Sequence, residues 1–125
     1  MPQNNYNIEL NQGDTFSLNL TVKNPSGSLK NLTGYTARMQ LRPSYSSNTV
    51  TESLSTSNGE ISINTTSSTV SLTLSATRTA AIKVDMDAGM PPRTRYVYDL
   101  ELIDSSSTVS KLMYGEVIVY GEVTR

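Results

Sequence analysis

Strict two-residue alternation of apolar and polar side chains, sustained through several separate stretches, is the feature that most limits how this chain can fold. In TFSLNLTVK, Phe16, Leu18, Leu20 and Val22 share one face while Ser17, Asn19, Thr21 and Lys23 share the other. That period is the signature of a half-buried antiparallel strand, one face against a core and one toward water. YTARMQLRP repeats it, with Tyr35, Ala37, Met39 and Leu41 opposed to Thr36, Arg38, Gln40 and Arg42, and Pro43 ends the strand because it cannot donate to a ladder. Residues 96 to 102 place Tyr96, Tyr98, Leu100 and Leu102 on one side. In the final run, Val117, Val119 and Val123 are expected to point inward and Glu116, Ile118, Tyr120 and Glu122 outward.

Turn chemistry divides these runs. Pro25 and Gly27 supply one reversal, and Asp104 followed by serines turns the chain into a last hairpin. Asn58-Gly59 predicts a tight hairpin that pairs 50–55 with 60–64, since both residues tolerate positive φ. SATRTAAIKV is the one helical candidate, near 75–84, with Ser75 as its cap and Ala76, Ala80 and Ile82 facing inward. Short strands, closely spaced turns and one brief helix predict an all-β domain spanning 1–125, a β-sandwich or partly closed barrel. Residues 1–5 form an expected extended arm.

At 125 residues the chain can bury a sizeable core without a staple. It contains neither Cys nor His, which removes disulfides, thiolate metal sites and the His-dependent nucleophile arrangements. Ten basic and eleven acidic residues leave a net charge of -1, giving no electrostatic reason to bind nucleic acid or an anionic membrane. No basic-apolar leader opens the chain and no apolar run is long enough to span a bilayer, so a soluble product is expected. Asn19, Asn31 and Asn64 each head an Asn-X-Thr triplet, which without a leader reads as strand and turn composition.

Two acidic groupings invite a chemical reading. Asp85 and Asp87 before Gly89 have the spacing of half a calcium loop, but a third ligand and a terminal Glu are missing, and acidic turn residues are the preferred reading. Asp99 and Glu101 project from one strand face, where pairing with Arg38, Arg42 or Arg95 across the sheet is favoured over a carboxylate dyad. Catalysis, a cofactor and a bound metal are therefore not expected. Ile118 and Tyr120, apolar between charges, together with Tyr114, Arg38 and Arg42, are the candidate interface residues. Either the short helix covers Ile118 and Tyr120 or another subunit does.

NQGDTFSLNLTV, NLTGYTARMQLRP and YDLEL followed by GEVIVYGEVTR resemble segments of small bacteriophage virion proteins related to the amino-terminal domains of phage baseplate upper proteins. The most distinctive phrase is LTGYTARMQLR, Leu32 to Arg42, while 43–94 matches only in general character. This resemblance implies an immunoglobulin-like antiparallel sandwich that anchors tail fibres to a baseplate or tiles a virion, made in a host bacterial cytoplasm and active by protein-protein assembly. Implied partners are baseplate, fibre or capsid subunits and further copies of itself, a trimer among them, with neither nucleic acid nor membrane. Longer members of that group continue into a fibrous extension, and this chain ends at Arg125, so a free-standing adaptor, fibre initiator or decoration subunit is expected, with a tail, baseplate or fibre-adaptor role preferred. A capsid decoration protein is the alternative. A carbohydrate-binding sandwich using Tyr45, Tyr114 and Tyr120 is a second one.

Overall fold

Nine strands and one helical turn build two packed sheets in the computed structural model, which describes residues 4–87 and 89–124. The strands are β1 (Asn4–Asn5), β2 (Ile8–Asn11), β3 (Phe16–Thr21), β4 (Thr36–Arg42), β5 (Glu52–Ser55), β6 (Ile61–Asn64), β7 (Thr69–Leu74), β8 (Arg93–Ile103) and β9 (Val109–Tyr120), with α1 (Ala76–Ala80) between β7 and β8. The larger sheet runs β1-β9-β8-β4-β5, with β2 continuing β1 along the same side of β9. The smaller runs β3-β7-β6. This distribution of successive strands between two sheets is the Greek-key order of an immunoglobulin-like sandwich.

Alternation decides what lies between the sheets. Ala37, Met39 and Leu41 of β4, Tyr96, Tyr98, Leu100 and Leu102 of β8, and Val117 and Val119 of β9 are buried as the period requires. Val70, Leu72 and Leu74 meet them from β7. The smaller sheet's β3 is only half-buried at Phe16, Leu18 and Leu20, because it lies at an edge.

Val123 departs from the expected pattern: it is 93% exposed. Strand β9 ends at Tyr120, and Gly121 then donates to the Pro92 carbonyl, so the alternation stops before Val123 is reached.

The helix is shorter than expected, five residues rather than 75–84. Ser75 caps it as anticipated, accepting from the Arg78 amide, and Ile82 is buried. Ala80, however, is exposed, and Thr79 takes the inward position. The Thr79 hydroxyl accepts from the Gly13 amide at 3.1 Å and donates to the Asp14 carbonyl at 2.7 Å, so polar satisfaction rather than alanine packing sets the helix's rotation.

Asn58-Gly59 is not a hairpin turn. β5 pairs with β4 in one sheet and β6 with β7 in the other, so the dipeptide carries the chain across the sandwich. Gly59 does adopt positive φ, at 82°, but the Asn58 side chain accepts from the amides of Ser55 and Glu60 and donates to the Ser53 carbonyl, which occupies the edge groups that a hairpin partner would need. The other turns match expectation: Asp104 Oδ1 accepts from Ser106 and Thr108, closing the β8–β9 hairpin.

Two tyrosines fasten the strands to the connections. Tyr96, near the start of β8, donates its hydroxyl to the Lys83 carbonyl upstream, the tyrosine corner of immunoglobulin-like domains. Tyr98 stands two residues on, where antibody domains carry a cysteine. It is 2% exposed and its hydroxyl reaches the Tyr6 carbonyl at 2.6 Å.

Candidate functional site

All five residues singled out as an interface project from one surface, the outer face of the larger sheet. Register explains this. Arg38 lies opposite Glu101, and Arg42 opposite Val97, across β4 and β8. Asp99 lies opposite Tyr114, Arg95 opposite Ile118 and Arg93 opposite Tyr120 across β8 and β9. Since side chains alternate with period two, each residue in these pairs shares the solvent side.

Cross-strand charge pairing dominates one half of the face. Arg38 Nε holds Glu101 at 2.8 Å, and Arg95 holds Glu116 at 3.1 Å. Asp99 is paired with Lys111 at 3.4 Å, a partner that sequence reasoning missed because the register shift between Leu100 and Glu101 alters which β9 residue comes opposite. The two carboxylates of β8 are thus neutralised separately and do not form a dyad.

Arg42 plays a different part. Its guanidinium donates to the Ser47 carbonyl at 2.8 Å and to Gln40 Oε1 at 2.9 Å, which folds the β4–β5 connection back over the sheet. That connection carries Tyr45, 67% exposed. Tyr45 overhangs a hollow of about 390 Å³ whose floor and walls include Arg38, Gln40, Arg42, Asp99 and Glu101. Tyr45 and Val97 also border a neighbouring hollow of about 360 Å³, lined by Asn5, Asn7, Tyr114 and Glu116. An aromatic ridge between two polar depressions is the shape that results.

Ile118 and Tyr120 lie farther along β9 and remain half-buried. The helix does not cover them. It sits at the rim of the sandwich, tied to Gly13 and Asp14. Their neighbours are Glu9 and Asn11 of β2 on one side and Arg95 and Arg93 of β8 on the other. The Tyr120 hydroxyl donates to the Glu9 carboxylate at 2.8 Å, and that bond to an anion holds the phenol above its ordinary pKa.

Of the expected arm, residues 1–3 lie outside the described residues. Asn5 is held by its own chain, parallel to β9 and opposite Tyr114.

Asp85 and Asp87 form a local turn in which the Asp85 carboxylate accepts from the Asp87 amide at 3.1 Å. Among the described residues, no group of three or more His, Cys, Asp or Glu side chains is placed to hold a metal. Asn31 and Asn64 accept from backbone amides two residues on, as turn-forming asparagines do. No described helix is long and apolar enough to cross a membrane.

No family model matches this chain, and no curated protein matches it. Among solved structures, extracellular domains 3-5 of Drosophila OTK are similar to it at 11% identity and a TM-score of 0.35, over 90% of this chain and 32% of that one. The chain therefore spans about a third of the length of that structure.

Proposed function

We propose that this protein is a non-enzymatic structural subunit of a bacteriophage virion, a tail, baseplate or fibre-adaptor component that works by docking other virion proteins. The reading is supported by the phrases in Asn11–Val22, Leu32–Arg42 and the last strands that resemble phage baseplate upper proteins. It is supported physically by one observation: Arg38, Arg42, Tyr114, Ile118 and Tyr120, chosen for partner contact, share a single sheet face. Arg38, Arg95 and Asp99 on this face are already paired with opposite charges, so recognition there proceeds mainly by shape, aromatic contact and residual hydrogen bonding rather than by long-range attraction. Antibody labelling of intact tailed-phage particles that encode the protein tests the reading. Label on tail or baseplate is the expected result, label on the head shell favours a decoration role, and absence from particles refutes both.

A second reading has its own observation. Tyr45 overhangs Gln40, Asp99 and Glu101, and an exposed ring beside amide and carboxylate groups is suited to stacking on a sugar face while bonding its hydroxyls. A glycan array separates the two, since the assembly reading expects no bound glycan.

A further inference from the structure

Sheet edges expose unpaired amides and carbonyls, and folded proteins ordinarily blunt them with charge, proline, bulges or brevity. Here the edges are treated unequally. β5 is four residues long, and its Ser53 carbonyl and Ser55 amide are occupied by Asn58. β6 is also four residues long. The β1–β2 edge is interrupted at Tyr6 and Asn7 and carries Glu9.

β3 has none of these protections. Its six residues, FSLNLT, form a regular ladder with β7 on one side and pair with no strand on the other among the described residues, and they include no charged residue and no proline. The Val22 amide bonds the Ser68 carbonyl on the β7 side. By antiparallel alternation, Phe16, Leu18 and Leu20 turn their backbone groups to β7 as well, whereas Ser17, Asn19 and Thr21 direct theirs outward. Beside this edge the two sheets leave a cleft of about 320 Å³ lined by Ile8, Leu10, Phe16 and Leu18 and also by the carboxylate residues Glu9 and Asp14, which lie outside the 15–22 segment.

We infer that β3 is a self-pairing edge, at which a second copy of this chain adds its own β3 antiparallel about a two-fold axis through Asn19. The occupant is argued from charge and symmetry. An isologous strand pair places each residue opposite its symmetry equivalent, so any charge near the axis would meet its like, and the segment 15–22 carries none. With Asn19 on the axis, Ser17 and Thr21 of one copy face Thr21 and Ser17 of the other, and the outward backbone groups form about six new hydrogen bonds. On the inner side, Leu18 meets the partner's Leu20, and Phe16 the partner's Val22. The three half-exposed apolar side chains of β3 are thereby covered, and the two smaller sheets become one continuous sheet. This surface is independent of the outer face of the larger sheet and of what docks there.

The test uses the absence of native cysteine. Cα atoms of a hydrogen-bonded antiparallel pair lie about 5.5 Å apart, within disulfide range, so Asn19→Cys is expected to cross-link under mild oxidation much faster than Ser62→Cys, an exposed residue on the far strand β6 of the same sheet. Sedimentation equilibrium of the unsubstituted protein is expected to show a reversible dimer. Asn19→Lys, at an exposed position, should weaken it about fivefold to tenfold, and mixing Asn19→Lys with Asn19→Glu should restore it. Circular dichroism checks that each variant is folded. Cross-linking no faster at 19 than at 62, absence of self-association, or a dimer indifferent to Asn19→Lys overturns the inference.

Discussion

The Tyr98 hydroxyl donates to the Tyr6 carbonyl across 92 positions of sequence, and the two groups meet directly above Gly115, the residue opposite Tyr98 on β9. The break between β1 and β2 crosses β9 at this point. Tyr6 donates its amide to the Tyr114 carbonyl, and Asn7 Oδ1 accepts from the Glu116 amide, replacing ladder bonds that the kink removes.

Tyr98→Phe should therefore cost about 1–2 kcal/mol, because it keeps the buried ring but leaves the Tyr6 carbonyl short of a donor. Urea unfolding measures the loss. Hydrogen exchange should show it concentrated in β1 and the Tyr6–Asn7 break rather than in β4.

Gly115→Ala should be at least as damaging. A Cβ there would lie 2.4 Å from the Tyr6 carbonyl oxygen, a backbone atom that cannot swing aside. About 1–3 kcal/mol of destabilisation is expected from the overlap, and chemical denaturation checks it.

Alkali should unfold the protein earlier than its balanced charge suggests. Burial holds the Tyr98 phenol well above its ordinary pKa, with the nearby Tyr6 and Tyr45 phenols adding to it, and burial also raises Tyr96. Below about pH 10 both are neutral whether folded or not. Above it, the unfolded chain releases protons that the folded one retains, so stability falls as pH rises from that point. Tyrosinate absorbance followed together with circular dichroism should show the late-titrating phenols ionising with unfolding, and Tyr98→Phe should make the decline shallower.

Arg78→Met tests the clamp at the rim. From α1, Arg78 binds the Glu52 carboxylate of β5 through two nitrogens and reaches Glu60, just before β6, at 2.7 Å. The two carboxylate side chains are 10% and 15% exposed, so removing the arginine strands two nearly buried anions. Arg78 is itself 38% exposed, which reduces the expected loss to about 1–3 kcal/mol. Adding Glu52→Gln to that variant should recover part of it in a double-mutant cycle.

Arg38→Ala should be nearly silent in stability, within about 0.5 kcal/mol, since its bridge to Glu101 is mostly exposed. Tyr45→Ala should likewise leave the melting temperature unchanged. Under the proposed virion role, loss of association with phage particles in either variant would place the contact at the hollow between them.

Legibility followed the range of the forces involved. Inward positions on β4 and β8 and the placement of Arg38, Arg42, Tyr114, Ile118 and Tyr120 on outward positions were readable, because a half-buried strand writes its own orientation in alternate residues. Asn58-Gly59 was misread because its φ preference serves a hairpin and a crossover equally; the difference lies in side-chain bonds to Ser53 and Ser55. Thr79 was missed since a buried threonine is recognisable only once Gly13 and Asp14 are brought beside it. Lys111, the placement of Tyr45 over its hollow and the Tyr6–Tyr98 bond depend on a register shift, a loop fold and a distant crossing, none of which leaves a local periodic trace.

The parallel run of β1 and β2 beside β9 has a mechanical consequence. Tension applied between Asn5 and Tyr120 acts along that ladder, from the start of one strand toward the finish of its neighbour. The hydrogen bonds of β1 and β2 to β9 then bear load together in shear instead of breaking one after another, so pulling along this axis meets the fold at its most resistant.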